Sequence, residues 1–425
     1  MEDHPLRYEL ANEMHARPFP ALDVPCTAVF LALKRPGNAA GRDRAEDMAH
    51  LCALLDRHGA PHPKPDATHY FGPVGRHWIK WESHTEVVTY TAFSGRLSPR
   101  AFDPSDFEVF PADWLGAAPG QRITSALIRV EARGDRDAAG IAKCMADWFV
   151  PESLAASHVL DDAAVIAGDF RIDPAGHLRF AVFVSDGVGR RRVGRIVQRL
   201  CEIETYKTLS LLGFARARAL SPELARTGAR LTDLVDDMGE KARPAEETLG
   251  QLLEVSGTLE QIAAQTSFRF SATAAYERLV HERVEVMREA RFAGRQTFAE
   301  FMLRRFDPAM RTVRATEARL QVMVARAARA ANLLRTRVDV ERSAQNQALL
   351  ESMDRRSDLQ LRLQRTVEGL SVVAISYYAV SLAAYALYPL AEAMGLPKGT
   401  IIAAITLPVV GLVWWLIRRV QRKLH

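Results

Sequence analysis

Two long apolar runs near the end of the chain decide its fold. Residues 369–391 read GLSVVAISYYAVSLAAYALYPLA, residues 399–417 read GTIIAAITLPVVGLVWWLI, and neither run contains a charged residue. A helix rises about 1.5 Å per residue, so either run can cross a hydrocarbon core of about 30 Å. Only EAMGLPK, residues 392–398, separates them, which is enough for one tight turn. The sequence therefore predicts a transmembrane two-helix hairpin with a basic tail over residues 367–425.

Basic residues flank the hairpin on one side, and this predicts its orientation. Positive charge concentrates on the cytoplasmic side of membranes, whereas the turn offers only Lys398. We therefore expect two spans, with both termini in the cytoplasm and the turn outside. The alternative, a buried hairpin in a soluble core, is disfavoured by uncharged runs of this length. The flanking basic residues are Arg355, Arg356, Arg362, Arg365, Arg418, Arg419, Arg422 and Lys423.

The rest of the chain has the composition of a water-soluble protein. Charged residues make up 25% of the 425 residues, and the net charge is +5. The basic residues are spread along the chain rather than gathered in a stripe with aromatic residues, so we expect no nucleic-acid partner. Four cysteines stand far apart without metal-binding spacing, which indicates reduced thiols in the cytoplasm. Residues 1–10 lack the apolar segment of a secretory signal, so insertion is expected to depend on the hairpin.

Residues 1–188 alternate strand-like and helix-like patterns. They predict an α+β cytoplasmic domain with a mixed or largely antiparallel sheet. The segments 164–172 and 178–184 flank the turn-forming sequence DPAGH and are predicted as a hairpin. The other predicted strands are Cys26–Leu33, Arg76–Trp81, Thr85–Phe93 and Arg122–Glu131, and the predicted helices are Pro5–Ala16, Arg42–His58 and Asp135–Phe149.

Residues 189–366 are rich in Ala, Arg, Leu and Glu and predict a bundle or stalk of long helices without strands. Pro308 suits the first turn of a helix that continues into the first apolar run. Apolar residues step by seven, as in a coiled-coil seam. Either helices of the same chain or helices of other chains fill this seam, and the periodicity does not distinguish the two. The seam residues are Val313, Leu320, Ala327 and Leu334 in one series, and Val324, Ala331 and Val338 in the other.

One side of the first apolar run carries hydroxyl groups at helical spacing, and we call it the Ser/Tyr face. Polar side chains inside a bilayer face protein or water, because lipid cannot satisfy them. This face is therefore expected either to pack on the second span or a neighbouring copy, or to line a pathway at the centre of an oligomer. Its residues step by three and four: Ser371, Ala374, Tyr378, Ser381, Tyr385 and Tyr388.

The sequence lacks the common catalytic and cofactor motifs. No P-loop, GxGxxG, GxSxG or HExxH motif occurs, so we predict neither an enzyme nor a bound cofactor. Histidines are frequent before residue 85, but His77 and His84 are an odd number of residues apart. An uninterrupted strand would place them on opposite faces. The pattern thus predicts no convergent metal site there, and the identity of any bound metal stays open.

Several phrases of the sequence resemble an uncharacterised bacterial family, the domain of unknown function 3422. The matching phrases extend over nearly the whole chain. The resemblance implies a membrane-anchored bacterial protein without an assigned activity, so we place the hairpin in the bacterial inner membrane. The phrases are HPLRYELANEMHARPF (4–19), WESHTEVVTY (81–90), IETYKTLSLLG (203–213), QNQALLESMDRRSDLQLRLQ (345–364) and RTVEGLSVVAISYYAV (365–380).

The predicted architecture is also similar to that of the CorA-type magnesium channels. These are homopentamers whose first spans line the pore, with a Gly-Met-Asn motif after the first span. The likeness implies a homo-oligomer that moves a cation. Here the turn reads AMGL, so the motif and its magnesium-recognising asparagine are absent, and magnesium selectivity is not implied. The outer turn carries Glu392, Met394, Gly395 and Lys398, and its one acidic residue attracts cations strongly only when several copies assemble.

Two classes of function follow. In the first, an oligomeric integral membrane protein acts as an ion channel or transporter, with a cytoplasmic sensing domain. In the second, the protein is a non-conducting membrane-anchored scaffold or regulatory protein, and the lipid bilayer is a partner in both. The first predicts Ser371, Tyr378 and Tyr385 around a common axis, and the second predicts them buried against the second span. We favour the first, because an anchor alone needs only one span.

Overall fold

The chain forms two compact units joined by long helices. The first unit comprises residues 1–239 and 250–330, and the second comprises residues 240–249 and 331–425. The predicted domain limits at residues 188 and 366 follow changes in composition. The two units are instead defined by which residues contact one another in space. The computed structural model describes residues 2–13, 19–37, 43–240, 243–393 and 397–424.

The helices predicted near the N-terminus are present. Two of them begin at aspartates whose carboxylates accept a backbone N–H, Asp43 from Ala45 and Asp137 from Gly140. Residues 14–16 of the first predicted helix lie outside the described residues. The helices are α1 (Arg7–Glu13), α2 (Arg44–Asp56), α3 (Ala112–Gly116), α4 (Ala138–Trp148), α5 (Arg190–Glu240), α6 (Ala245–Glu285), α7 (Phe298–Arg305), α8 (Asp307–Ala393) and α9 (Lys398–Leu424), with a 3₁₀ helix over Pro104–Val109.

A mixed sheet forms the centre of the first unit. The strands are β1 (Cys26–Lys34), β2 (His69–Val74), β3 (His77–Ser83), β4 (Val88–Ser94), β5 (Gln121–Ala132), β6 (Ala155–Val159), β7 (Ala164–Gly168), β8 (Leu178–Val184) and β9 (Ala290–Arg291). In the described part of the chain the sheet has nine strands in the order β2-β3-β4-β1-β5-β8-β7-β6-β9. Among the described strands, β5 and β8 alone pair in parallel, so the predicted mixed sheet is confirmed.

All six predicted strands occur, with ends shifted by a few residues. The hairpin predicted around DPAGH is the β7–β8 pair, in which Ala164 lies opposite Val184. The sequence patterns missed β2, β6 and β9. The expectation that no strand follows residue 188 is wrong, because Arg291 of β9 pairs with Ser157 of β6. A strand of two residues is too short to show a period of its own.

The central strand β1 is buried on both faces. Ala28 and Phe30 belong to one hydrophobic core, and Val29 and Leu31 belong to the other. Burial on both sides explains why residues 28–33 of this strand are continuously apolar rather than alternating. The N-terminal part of α5 covers the first core, while α2 and α4 cover the second.

The helix α8 runs through 87 residues without interruption, as expected from Pro308. Its seam residues from Val313 to Val338 are buried or half-buried within the single chain. In the first unit the guanidinium of Arg314 pairs with Glu277 of α6 at 3.0 Å, and that of Arg326 donates to Thr232 of α5 at 3.3 Å. Helices of the same chain therefore fill this part of the seam, so the intramolecular bundle is the correct alternative there.

Candidate functional site

The apolar runs form the last part of α8 and most of α9. Each contains an 18-residue segment that is long and apolar enough to cross a membrane. Only 6% of each segment is buried, whereas a core helix of a soluble protein is mostly buried. Length and composition thus make both helices candidate membrane spans.

The buried positions of the two candidate spans indicate that one side of α8 packs on α9. Ser376 and Val413 are the buried residues of the apolar runs in the described part of the chain, with exposures of 6% and 7%. They lie at similar distances from the turn, as expected for contact across an antiparallel hairpin. Val372, Ala379 and Ala383, on the same side of α8 as Ser376, are half-buried. This side of α8 therefore faces α9.

The Ser/Tyr face points away from that contact. At 100° per residue, Ser371, Tyr378 and Tyr385 lie about 140–180° around α8 from Ser376. Their side chains are exposed, Tyr378 to 66% and Tyr385 to 81%. In the structure the Ser/Tyr face is therefore exposed rather than covered by α9. Packing against a neighbouring copy and lining a pathway both require this exposed surface.

The remaining predicted residues are placed as follows. Ala374 is exposed, and Ser381 is half-buried with its hydroxyl donating to the Tyr377 carbonyl at 2.9 Å. Glu392 is exposed in the last turn of α8. The side chains of Tyr388 and Lys398 lie outside the described part of the structure, as do Met394 and Gly395 altogether.

The first unit contains a buried ion pair that the sequence patterns did not reveal. Glu86, between β3 and β4, is 1% exposed, and the guanidinium of Arg269 from α6 donates to both of its carboxylate oxygens. The Tyr276 hydroxyl donates to the same carboxylate at 3.0 Å. Burial, together with the neighbouring Glu86, raises the pKa of Tyr276, so its hydroxyl keeps its proton. The ion pair ties α6 to the sheet.

A small cavity lies beside this ion pair, between the sheet and α5. The Lys80 ammonium donates to the Gln198 side chain at 2.7 Å and pairs with Glu82 at 3.1 Å. His84 meets Tyr206 edge to face at the cavity wall. Its volume of about 20 Å³ accommodates one water molecule. This arrangement is a polar packing interface rather than a ligand pocket.

A larger cleft of about 660 Å³ opens on the other face of the sheet. His77 lines it together with His58, Arg76 and Asp106, whereas His84 lies at the small cavity. The prediction that His77 and His84 occupy opposite faces is thus confirmed. Burial lowers the pKa of His77, with Arg76 and His58 adding to this effect. The described residues hold no group of three or more His, Cys, Asp or Glu side chains suited to a metal ion.

Comparison with known proteins gives one match that covers nearly the whole chain. Residues 2–424 match the model of the family described as protein of unknown function DUF3422. No curated protein and no solved structure matches the chain. The extent of the family match includes the sheet, the long helices and both candidate spans. The chain therefore belongs to the DUF3422 family.

Proposed function

We propose that this protein is a two-span inner-membrane protein that forms a homo-oligomer and conducts a small cation along the Ser/Tyr face. The exposure of that face, on the side of α8 opposite to α9, is the observation that carries the proposal. Hydroxyl groups that contact acyl chains lose their hydrogen bonds to water. An exposed row of hydroxyl groups inside a membrane is therefore more stable in contact with protein or water.

The chemistry of the face suits a cation. Hydroxyl oxygens of serine and tyrosine replace part of an ion's hydration shell, as the oxygens that line known ion pathways do. Neither apolar run contains an ionisable group of the Asp, Glu, Lys, Arg or His type that would stop the ion or couple its movement to a proton. Glu392 at the outer end of α8 is exposed, and several copies of it would attract cations to the entrance. The likeness to CorA-type channels supports the same arrangement by analogy of architecture only.

The test is a cation-flux assay on the full chain reconstituted into lipid vesicles, with K⁺ and Mg²⁺ as probe ions. Tyr385→Phe removes one hydroxyl from the face without changing the ring, so we expect flux to fall several-fold. Tyr377→Phe is the matched control, because Tyr377 is the one tyrosine of this run outside the Ser/Tyr face. Equal effects of the two substitutions would contradict a pathway along the face.

The same assay distinguishes conduction from the other class of function. If the wild-type protein is oligomeric but passes neither ion faster than protein-free vesicles, the conducting function fails. A membrane-anchored scaffold or regulatory role would then account for the hairpin. In that case we expect Tyr385→Phe to leave the oligomer intact, because a neutral hydroxyl contributes little to packing area.

A further inference from the structure

The helix α8 leaves the bundle of its own chain well before the first apolar run. Every residue from 339 to 367 is exposed. In the second unit, Arg342 pairs with Glu246 at 2.7 Å near the start of α6, and α5 ends at Glu240. Among the described residues, neither α5 nor α6 extends beyond this level to cover α8. The last buried seam residues before the exposed segment are Leu334 and Val338.

The exposed segment carries an apolar stripe, which we call the stalk face. Its large apolar residues are between 54% and 69% exposed. They follow the three- and four-residue spacing of a helix seam, in which Arg356 and Gln360 occupy the two positions between Met353 and Leu363. A helix with such a stripe gains stability mainly from a partner that covers it. The stripe consists of Leu349, Met353, Leu363, Val367 and Leu370.

The charges of this segment lie almost entirely away from the stalk face. The positions that flank it are uncharged: Ser352, Ser357, Gln364 and Thr366. Arg356 is the exception: it occupies a seam position, and its long side chain can extend the guanidinium out of a contact into water. At 100° per residue the other charged residues are turned about 100–180° from the centre of the stripe. They are Glu351, Asp354, Arg355, Asp358, Arg362, Arg365 and Glu368.

We propose that the stalk face binds the stalk face of a second copy of this chain, in parallel and in register. Apart from Arg356, whose guanidinium must extend into water, two identical faces with uncharged flanks bring no like charges together, whereas a charged partner would lose solvation of its charges there. The stripe also continues an interface that already exists. Leu334 and Val338 lie on the same side of α8, and the Ser/Tyr face follows on that side beyond Leu370.

Membrane insertion selects the parallel arrangement, and in this respect the inference rests on the proposed function. Copies that insert through the same hairpin have the same orientation and depth in the membrane. The same residue of α8 in each copy therefore lies at the same distance from the membrane surface. Gln360 then meets Gln360 of the second copy, where the two amides can bond to each other. A polar residue in an apolar seam fixes its register in this way.

Disulfide cross-linking of the full chain in native membrane vesicles tests this contact. The background replaces the half-buried Cys52 and Cys144 with serine. Cys26 and Cys201 are buried, and burial raises the pKa of both thiols, that of Cys26 to about 12, so they stay unreactive. We expect Leu363→Cys to form a disulfide-linked dimer upon mild oxidation with copper phenanthroline. Asp358→Cys, on the charged side of the same segment, is the control and is expected to remain monomeric.

Leu349→Cys provides a second position on the stalk face if the first variant fails to accumulate. Equal cross-linking of the two sides, or linkage of the stalk-face cysteines only to a protein of another mass, would overturn the proposal. The flux assay separates this outcome from the fate of the proposed function. Flux without a stalk-face cross-link would refute the contact between stalk faces and support the proposed conduction. A stalk-face cross-link without flux would support the contact between stalk faces and refute the proposed conduction.

Discussion

Glu86 and Arg269 show how single residues hold the sheet and the long helices of the first unit together. Arg269→Met would leave the Glu86 carboxylate buried, with the Tyr276 hydroxyl as its donor and Lys34 as a nearby positive charge that does not replace the bidentate pair. Removing one partner of a buried pair costs about 3–5 kcal/mol, because the remaining charge is uncompensated. We expect a corresponding loss of the free energy of unfolding for the full chain in detergent, measured by denaturant titration.

The control for this prediction is the double variant Glu86→Gln/Arg269→Met, which removes both charges. It should recover most of the lost stability, because a neutral amide costs far less to bury than an unpaired carboxylate. A single variant as stable as the wild type would show that water reaches Glu86 and that the pair is not a structural tie.

His50 gives the first unit a dependence on pH. Its ring donates to the Trp114 carbonyl at 3.0 Å and accepts from the Tyr90 hydroxyl at 2.9 Å. Burial lowers the pKa of His50, against a smaller opposing effect of the Trp114 carbonyl. The unfolded chain therefore binds a proton at a higher pH than the folded chain. The stability that the neutral His50 ring contributes is fully present above about pH 6.5. It is lost as the pH falls towards the pKa of His50 in the folded chain.

Melting temperatures of the full chain between pH 7.5 and pH 5.5 check this sign. We expect the wild type to lose stability on acidification, and His50→Gln to show a flatter profile. Part of the dependence should persist, because burial also lowers the pKa of His77 and of His177. Parallel profiles for the wild type and the variant would mean that His50 is not held neutral.

At the scale of elements, Gly213 marks the close crossing of α5 and α6. A methyl group at this position would lie 2.1 Å from the hydroxyl oxygen of Thr273, a short, buried side chain that cannot move far. We expect Gly213→Ala to destabilise the full chain by about 1–3 kcal/mol through overpacking. Gly257→Ala in α6 is the control, since it meets open space and should stabilise the helix by about 0.5–1 kcal/mol. Denaturant titration measures both, and the same sign for the two variants would refute the close crossing.

Elements with a strong local pattern could be predicted from the sequence, and contacts between distant residues could not. The alternation and turn residues around DPAGH identified β7 and β8, and aspartates mark the starts of α2 and α4. The seven-residue steps identified the seam of α8 but not the helices that fill it, because periodicity describes only one of the two surfaces. Glu86 and Arg269 are far apart in the chain, so their pairing has no local signal. The Ser/Tyr face could be recognised from its spacing, whereas its direction relative to α9 depends on how the two helices pack.

At the scale of the molecule, solvation predicts which parts of the chain reside in water and which in lipid. The first unit buries its apolar residues in two cores, while the apolar runs of the second unit remain almost wholly exposed. Exposed apolar surface of this extent is costly in water and is favourable among acyl chains. In the proposed two-span arrangement, the basic residues that flank both runs away from the turn would keep the rest of the chain on the cytoplasmic side.

This reasoning predicts the topology of the chain, which labelling of single cysteines in the Cys52→Ser/Cys144→Ser background can measure. Glu392→Cys, next to the turn, should react with a membrane-impermeant maleimide added to intact spheroplasts. Ser357→Cys, on the basic side of the first span, should react only in inverted vesicles. Both positions are exposed, so a difference in labelling reports the side of the membrane rather than burial within the protein. Equal labelling of both positions in spheroplasts, or recovery of the full chain in the soluble fraction without detergent, would refute the two-span arrangement, because the apolar runs would then have to be covered by protein instead of lipid.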